Sequence, residues 1–102
     1  MSLHRDQLKE QYGTLYSVVE SILFTHDPAG VNFGDNTDEY APEVDTILPR
    51  LKAAKKHEDV ALIVYEEILK WFDPSIAGDQ SAPIYSAIAN DIWPKWLEFT
   101  TD

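Results

Sequence analysis

An acidic stretch between residues 27 and 45 carries the side chains best suited to chemistry in this sequence. It places six carboxylates within nineteen residues and contains neither lysine nor arginine. Aromatic side chains lie among these charges, an arrangement typical of the centres of protein interfaces. The acidic stretch therefore predicts a contact surface for a basic protein partner. The predicted contact residues are Asp27, Phe33, Asp35, Asp38, Glu39, Tyr40 and Glu43.

Three other interpretations of the acidic stretch stay open. It can be a solvated loop whose acids favour the ends of helices, which is the ordinary role of such residues. Asp35-Asn36-Thr37-Asp38 offers hard oxygen ligands for a cation, although Tyr40 stands where a calcium-binding loop needs glycine. Two carboxylates could also act as acid and base, but no nucleophile or partner base supports this. The main alternative function is a cation- or small-molecule-binding domain that uses residues 27–45.

Recognised catalytic patterns are absent from the sequence. It has no G-x-S-x-G elbow, no phosphate-binding G-x-x-x-x-G-K-[ST] loop and no H-E-x-x-H pair. Cysteine is absent, and His4, His26 and His57 are too far apart to share a local metal-binding motif. The pair His26-Asp27 fits a helix end followed by a turn better than a catalytic dyad. We therefore expect no catalytic residue, metal site or cofactor, and a protein that is not an enzyme.

The net charge of the chain limits the classes of partner that it is expected to bind. Eighteen acids against eight bases give a formal net charge of −10. Because nucleic acids and anionic membranes are bound by basic surfaces, neither is an expected partner. The basic cluster Lys52, Lys55 and Lys56 is followed at once by Glu58 and Asp59. This charge favours a cationic protein surface as the partner, and assembly with further copies of the chain is the other option.

Length and hydropathy predict a single helical domain spanning residues 1–102. With 44% hydrophobic and 12% aromatic residues, the composition is too apolar for a disordered chain. The longest apolar run, Val60–Tyr65, covers six residues, far fewer than the roughly 18 that a membrane span needs. The N-terminus lacks a basic region followed by an apolar stretch, so no secretory signal is visible. These features favour a cytoplasmic location.

Apolar residues at helical spacing predict two helices in the first half of the chain. The first runs from about residue 6 to about residue 25, and Gly13 weakens it locally. A long loop, residues 26–39, follows, and loops of this length without structure of their own are often functional. The second helix begins near Pro42, because the N–H that proline lacks is not needed in a first turn. Pro49 removes one backbone hydrogen bond and should kink this helix.

Two further helices complete the predicted fold. The third covers about residues 58–72. For the fourth, Ser81 offers an N-cap, and Pro94 interrupts the apolar pattern before a last turn near Phe99. Because no segment shows a convincing strand pattern, we predict an all-α, small four-helix bundle-like domain. Its second and fourth helices are kinked by proline.

Aromatic residues are dense in the second half of the chain. They are Trp71, Phe72, Trp93, Trp96 and Phe99. Core packing is the expected role, with Trp71 and Trp93 on the apolar faces of their helices. Trp96 follows Pro94 and is the ring most readily placed at the surface. An exposed patch for a partner or for self-association is the alternative.

Several segments of the sequence resemble a family of short bacterial proteins, a domain of unknown function. They are Asp27-Pro28-Ala29-Gly30, Asn32-Phe33-Gly34, Asp38-Glu39-Tyr40-Ala41-Pro42-Glu43-Val44, Ile47-Leu48-Pro49-Arg50-Leu51 and Glu66-Glu67-Ile68-Leu69-Lys70-Trp71-Phe72. The family pattern is a helix, an Asp-Pro-x-Gly loop and an Asp-Glu-Tyr-x-Pro-Glu-Val helix start, so the resemblance covers most of the chain. It implies a small, helical, cytoplasmic bacterial protein. Because the family has no assigned activity, the resemblance transfers no functional residue.

The chain also resembles nuclease-toxin immunity proteins in its general properties. Those proteins are short, acidic, helical and poor in cysteine, and they use acids with tyrosines to cover a basic toxin surface. No motif aligns with them, so this likeness is an analogy of class. Together with the acidic stretch, it predicts a non-catalytic interaction module, immunity-like or regulatory, that docks a basic partner.

Overall fold

The structure, a computed structural model, describes residues 2–30 and 40–101. Within these ranges the chain forms α-helices, one 3₁₀ helix and no strand, which confirms the all-α prediction. The α-helices are α1 (Ser2–Tyr12), α2 (Thr14–His26), α3 (Ala41–Ile47), α4 (His57–Trp71), α5 (Pro74–Ala77) and α6 (Pro83–Thr100). The 3₁₀ helix, Leu48–Ala53, follows α3 directly.

Gly13 divides the predicted first helix into α1 and α2. Its φ of +58° lies in the left-handed region that side chains disfavour and glycine adopts freely. The apolar face nevertheless continues across the break, since Leu8, Tyr12, Leu15 and Val19 are all buried. The predicted apolar face is therefore correct, but Gly13 breaks the helix in two where the sequence predicted only a local weakening.

The predicted second helix changes type beside Pro49. Pro42 lies in the first turn of α3, as expected. Pro49 has no N–H to donate to the carbonyl one α-turn earlier, and the chain tightens into the 3₁₀ helix at this point. Buried Ile47, Leu48 and Leu51 hold this segment against the core. The kinks predicted at Pro49 and Pro94 stay predictions.

The centre of the domain lies between α4 and α6. These two helices pack most extensively on each other, α2 packs on α6, and α3 bridges α4 and α2. Fully buried aliphatic side chains from all four helices fill the space, and among them are Val19, Leu23, Val44, Ile47, Val64, Ile68, Ile88 and Ile92. The radius of gyration is 12.8 Å, close to the roughly 13 Å of a compact chain of this length.

The fourth predicted helix differs from α6 in three details. Ala82, not Ser81, precedes α6 as its N-cap, and Ser81 instead bonds the side chain of Asp79. The helix continues through Pro94 to Thr100. Trp96 is buried at 9% exposure, whereas Trp71 on α4 is 45% exposed, so both predicted placements were wrong.

None of the helices in residues 2–30 and 40–101 has the length and apolar character needed to cross a membrane.

Candidate functional site

The predicted contact residues divide into two groups. Asp27, Tyr40 and Glu43 lie in the described part of the chain. The other four, Phe33, Asp35, Asp38 and Glu39, lie outside the described residues. The structure therefore defines the two ends of the acidic stretch and what those ends do.

Tyr40 ties the two ends of the acidic stretch together. Its hydroxyl donates to Asp27 Oδ1 at 2.7 Å and accepts from the backbone N–H of Ala29 at 2.9 Å. Asp27 ends α2 with a φ of +53°, a left-handed turn that aspartate tolerates better than most residues. We call this arrangement the tyrosine clasp. It gives Asp27, Ala29 and Tyr40 a shared role in holding together the two described ends of the acidic stretch.

The ring of Tyr40 lies in the interior. Its exposure is 0%, because the ring packs with the core while the hydroxyl serves the clasp. Tyr40 therefore does not stand at the surface as the exposed aromatic anchor that the sequence suggested. The hydroxyl partners are the physical reason, since a tyrosine whose polar end is bonded can be buried whole.

Glu43 is also interior, at 3% exposure in the first turn of α3. Its Oε1 atom has no hydrogen-bond partner. Burial raises the pKa of this carboxyl above its ordinary value, and the nearby charge of Asp45 adds to the rise. A hydrogen bond from its own backbone N–H and the charge of Arg5 oppose the rise. Glu43 is therefore no surface contact in this structure but a buried acid whose charged form is disfavoured.

Asp45 joins three helices through its carboxylate. Arg5 of α1 approaches Asp45 Oδ2 with Nε at 2.9 Å and Nη2 at 2.8 Å. Tyr16 of α2 donates to Asp45 Oδ1 at 2.6 Å. The bond with Asp45 raises the pKa of Arg5, while burial and the same carboxylate raise that of Tyr16. The cluster Arg5, Tyr16 and Asp45 is thus a charged junction between α1, α2 and α3.

Sequence reasoning missed the part that Arg5 and Tyr16 play in this junction. Arg5 and Asp45 lie 40 positions apart, and no local motif connects residues at such a separation. Tyr16 is buried at 1% exposure. Nothing in the sequence around it indicates that its hydroxyl bonds a distant carboxylate. Only the packing of α1 and α3 on α2 brings the three side chains together.

A groove runs between α2 and α6, away from the tyrosine clasp. It has a volume of about 440 Å³, and its lining includes Ser17, Val18 and Ser21 of α2 with Asp91 and Lys95 of α6. At the end of α2, His26 Nε2 lies 2.8 Å from Asp91 Oδ2, so His26 is a helix-end residue as predicted. None of the described contact residues lines this groove.

Metal ligands do not converge in the described ranges. No group of three or more histidine, aspartate or glutamate side chains in residues 2–30 and 40–101 is arranged to hold a metal ion. The hard oxygen donors proposed for a cation, Asp35 to Asp38, lie outside those ranges. The cation-binding alternative therefore depends on residues that the structure does not describe.

Comparisons with known proteins identify no relative of this chain. No family model, curated protein or solved structure matches this chain. The resemblance to a bacterial family with an Asp-Pro-x-Gly loop therefore stays a prediction, as does the analogy with immunity proteins. The site is accordingly interpreted from its own geometry and charge.

Proposed function

We propose that this protein is a non-catalytic interaction module, immunity-like or regulatory in kind, that docks a basic protein partner through the acidic stretch. The observation that carries the proposal is the distribution of charge along the chain. Between Lys9 and Arg50 the sequence holds eight carboxylates and no lysine or arginine. We call residues 10–49 the cation-free segment. Such a segment attracts a cationic surface and speeds its encounter with the protein.

Two structural features support the loop within this segment as the contact region. The tyrosine clasp holds Asp27 at the end of α2 and Tyr40 at the start of α3 together. At the α3 end, Glu43 is buried and Asp45 is held by Arg5 and Tyr16. Docking therefore falls mainly to Asp35, Asp38 and Glu39, three of the contact residues that the sequence predicts.

A pull-down at low salt tests the proposal. The bait carrying Asp35→Lys, Asp38→Lys and Glu39→Lys is compared with the wild-type chain, after circular dichroism shows that both are folded. We expect a basic protein to be retained by the wild type and lost by the variant. With the captured partner purified, the wild-type association rate should fall as ionic strength rises, because steering is screened by salt.

The matched control reverses three exposed acids elsewhere and changes the net charge by the same amount. It carries Glu58→Lys, Asp79→Lys and Glu98→Lys, all at exposed positions. We expect the loop variant to bind about tenfold or more weakly than the wild type and the control to bind nearly as well. Equal weakening of both variants would mean that net charge, not the loop, attracts the partner.

The cation-binding alternative gives a different result. In a calcium or magnesium titration followed by tryptophan fluorescence, a genuine site saturates and raises the midpoint of thermal unfolding. An unchanged midpoint with a captured basic protein supports the interaction module. A saturating response with no captured protein would replace it with the ligand-binding function.

A further inference from the structure

Helix α1 contacts three other helices in the described part of the chain, since Arg5 pairs with Asp45 of α3 and the Tyr12 ring lies 5.7 Å from that of Phe99 on α6. It packs mainly on α2, and its buried side chains are Leu8 and Tyr12 among residues 4–12.

Gly13 connects α1 to α2 with a φ of +58°, and a methyl group added there would meet no atom within 4 Å. The connection is therefore a glycine that faces open space on the side where a side chain would stand, with a backbone conformation that glycine adopts freely. Its N–H still donates to Lys9 O at 2.8 Å.

The contacts of α1 on its neighbours have a consistent chemistry. Arg5 pairs with Asp45, and Lys9 Nζ lies 5.4 Å from the centre of the Tyr16 ring, within reach of a cation–π attraction. The two cations come from outside the cation-free segment, and the groups they meet lie inside it. Helix α1 thus supplies, from within the same molecule, the positive charge that the segment lacks.

We propose that the face of α2 and α3 beneath α1 is a docking surface for a basic amphipathic helix, which α1 occupies until a partner displaces it. The side chains of α1 indicate which residue types a helix bound at this face would carry. They are a cation at the position of Arg5, an apolar residue at that of Leu8, a cation at that of Lys9 and an aromatic ring at that of Tyr12. These positions share one helix face, the arrangement of a helix that binds in a groove. The proposal goes beyond the proposed function, since it adds a second docking surface around Asp45 and Tyr16 and specifies a helical partner.

Displacement of α1 is physically reasonable because α1 is short. A helix of eleven residues is marginal in water on its own, so its order depends on its contacts. A partner helix with an arginine opposite Asp45 would replace the pair that Arg5 makes, and an aromatic side chain would take the place of Tyr12 beside Phe99. Displacement of α1 then requires only that the partner helix bind this face more favourably than α1 does.

Hydrogen exchange tests whether α1 opens separately from the rest. In the wild-type chain we expect the amides of α1 to exchange faster than those of α4 and α6, through a local opening. Arg5→Gln should raise the exchange rate of α1 roughly threefold or more without changing α4. Lys52→Gln is the matched control, since it also removes one exposed positive charge. Exchange of α1 only together with α4 and α6 would overturn the proposal.

A synthetic peptide tests the docking chemistry. The probe is a labelled peptide of residues 2–13, with a scrambled peptide as control, added to full-length chains. We expect Arg5→Gln chains to bind the probe roughly threefold tighter than the wild type, because their docking face is vacant more often. Asp45→Asn should open α1 equally but gain no affinity, since it removes the acid that the probe needs. Equal affinity of all three chains, or no binding to any, would overturn the proposal.

The two tests are separable from the failure of the proposed function. The peptide and hydrogen-exchange experiments need no natural partner and leave Asp35, Asp38 and Glu39 unchanged. Their failure with a successful pull-down would leave the loop as the docking region and α1 as a fixed part of the fold. Success here with a failed pull-down would leave the face beneath α1 as the binding surface.

Discussion

Two buried glutamates divide the molecule into contrasting regions. Glu67 on α4 is 1% exposed, and its Oε2 accepts from Arg50 Nη1 at 3.0 Å. Lys70 Nζ lies 3.4 Å from its other oxygen, so two cations accompany this buried charge. Glu43 on α3 is 3% exposed. The Oε1 atoms of both glutamates lack a hydrogen-bond partner in the described residues, but only Glu67 has ion pairs there.

The contrast indicates which region is built chiefly for stability. Arg50 reaches Glu66 at 2.6 Å as well as Glu67, and so ties the 3₁₀ helix to α4. Glu43 forms no ion pair in the described residues, and Arg5, the cation that favours its charged form, is paired with Asp45. Glu43 is buried and Asp45 is paired with Arg5, so the charge available for a partner comes from the other acids of this region. That difference accords with the proposed function, which is carried by the distribution of charge along the chain.

Removing Arg50 should have the largest effect on stability. Arg50→Ala leaves Glu67 buried with only Lys70 nearby, so we expect a loss of about 2–3 kcal/mol in the free energy of unfolding. Urea denaturation followed by tryptophan fluorescence measures it. Lys52→Ala, an exposed neighbour, is the control and should change stability by less than about 0.5 kcal/mol. A small effect of Arg50→Ala would remove the contrast between the two regions.

Breaking the tyrosine clasp should cost less. Tyr40→Phe keeps the buried ring but deprives Asp27 and the Ala29 N–H of their shared partner, so we expect a loss of about 1–2 kcal/mol. Tyr65→Phe is the matched control, because the half-buried Tyr65 makes a ring contact with Tyr85 but no hydroxyl bond among the described residues. If both variants lose the same stability, the clasp is not what holds the two described ends of the acidic stretch together.

Neutralising Glu43 should raise stability rather than lower it. Burial raises its pKa above the ordinary 4.5, so the folded state binds this proton more tightly than the unfolded state does. Stability is then greatest below the unfolded pKa and falls as pH rises through the folded one. Glu43→Gln should therefore gain about 1 kcal/mol at neutral pH and nothing below about pH 4. Denaturation curves at several pH values measure this, and a gain independent of pH would point to another cause.

The pair between His26 and Asp91 should matter least. Asp91 is 54% exposed in its side chain, and exposed pairs contribute little. We expect Asp91→Asn to lower stability by about 0.5 kcal/mol or less, with Glu98→Gln, an exposed acid on the same helix, as the control. A loss several times larger would show that the end of α2 depends on this contact and would weaken the emphasis on the tyrosine clasp.

The sequence predicted the helices and most of the core because helical spacing of apolar residues is a local property. It missed the complete break at Gly13 and the change to a 3₁₀ helix beside Pro49, which depend on backbone geometry. Trp71 and Trp96 were misplaced because the helix face that turns inward is decided by neighbouring helices. The third and fourth helices were located correctly to within a few residues of α4 and α6.

The candidate site was predictable in location but only partly in role. The acidic stretch can be identified from the sequence because it is a run of acids without lysine or arginine. Tyr40 and Glu43 belong to that run, yet each is buried, since sequence alone does not distinguish an exposed acid or tyrosine from an interior one. The junction of Arg5 with Asp45 needed the structure because it joins distant parts of the chain.

The same substitution at the two buried glutamates tests most directly whether the acidic region lacks internal compensation. Glu43→Gln and Glu67→Gln are compared by urea denaturation at neutral pH, with the wild type measured alongside. We expect opposite signs: a gain of about 1 kcal/mol for Glu43→Gln and a loss of similar size for Glu67→Gln, which weakens the attraction to Arg50. Loss of stability in both variants would mean that Glu43 is compensated after all and would contradict the contrast between the two regions.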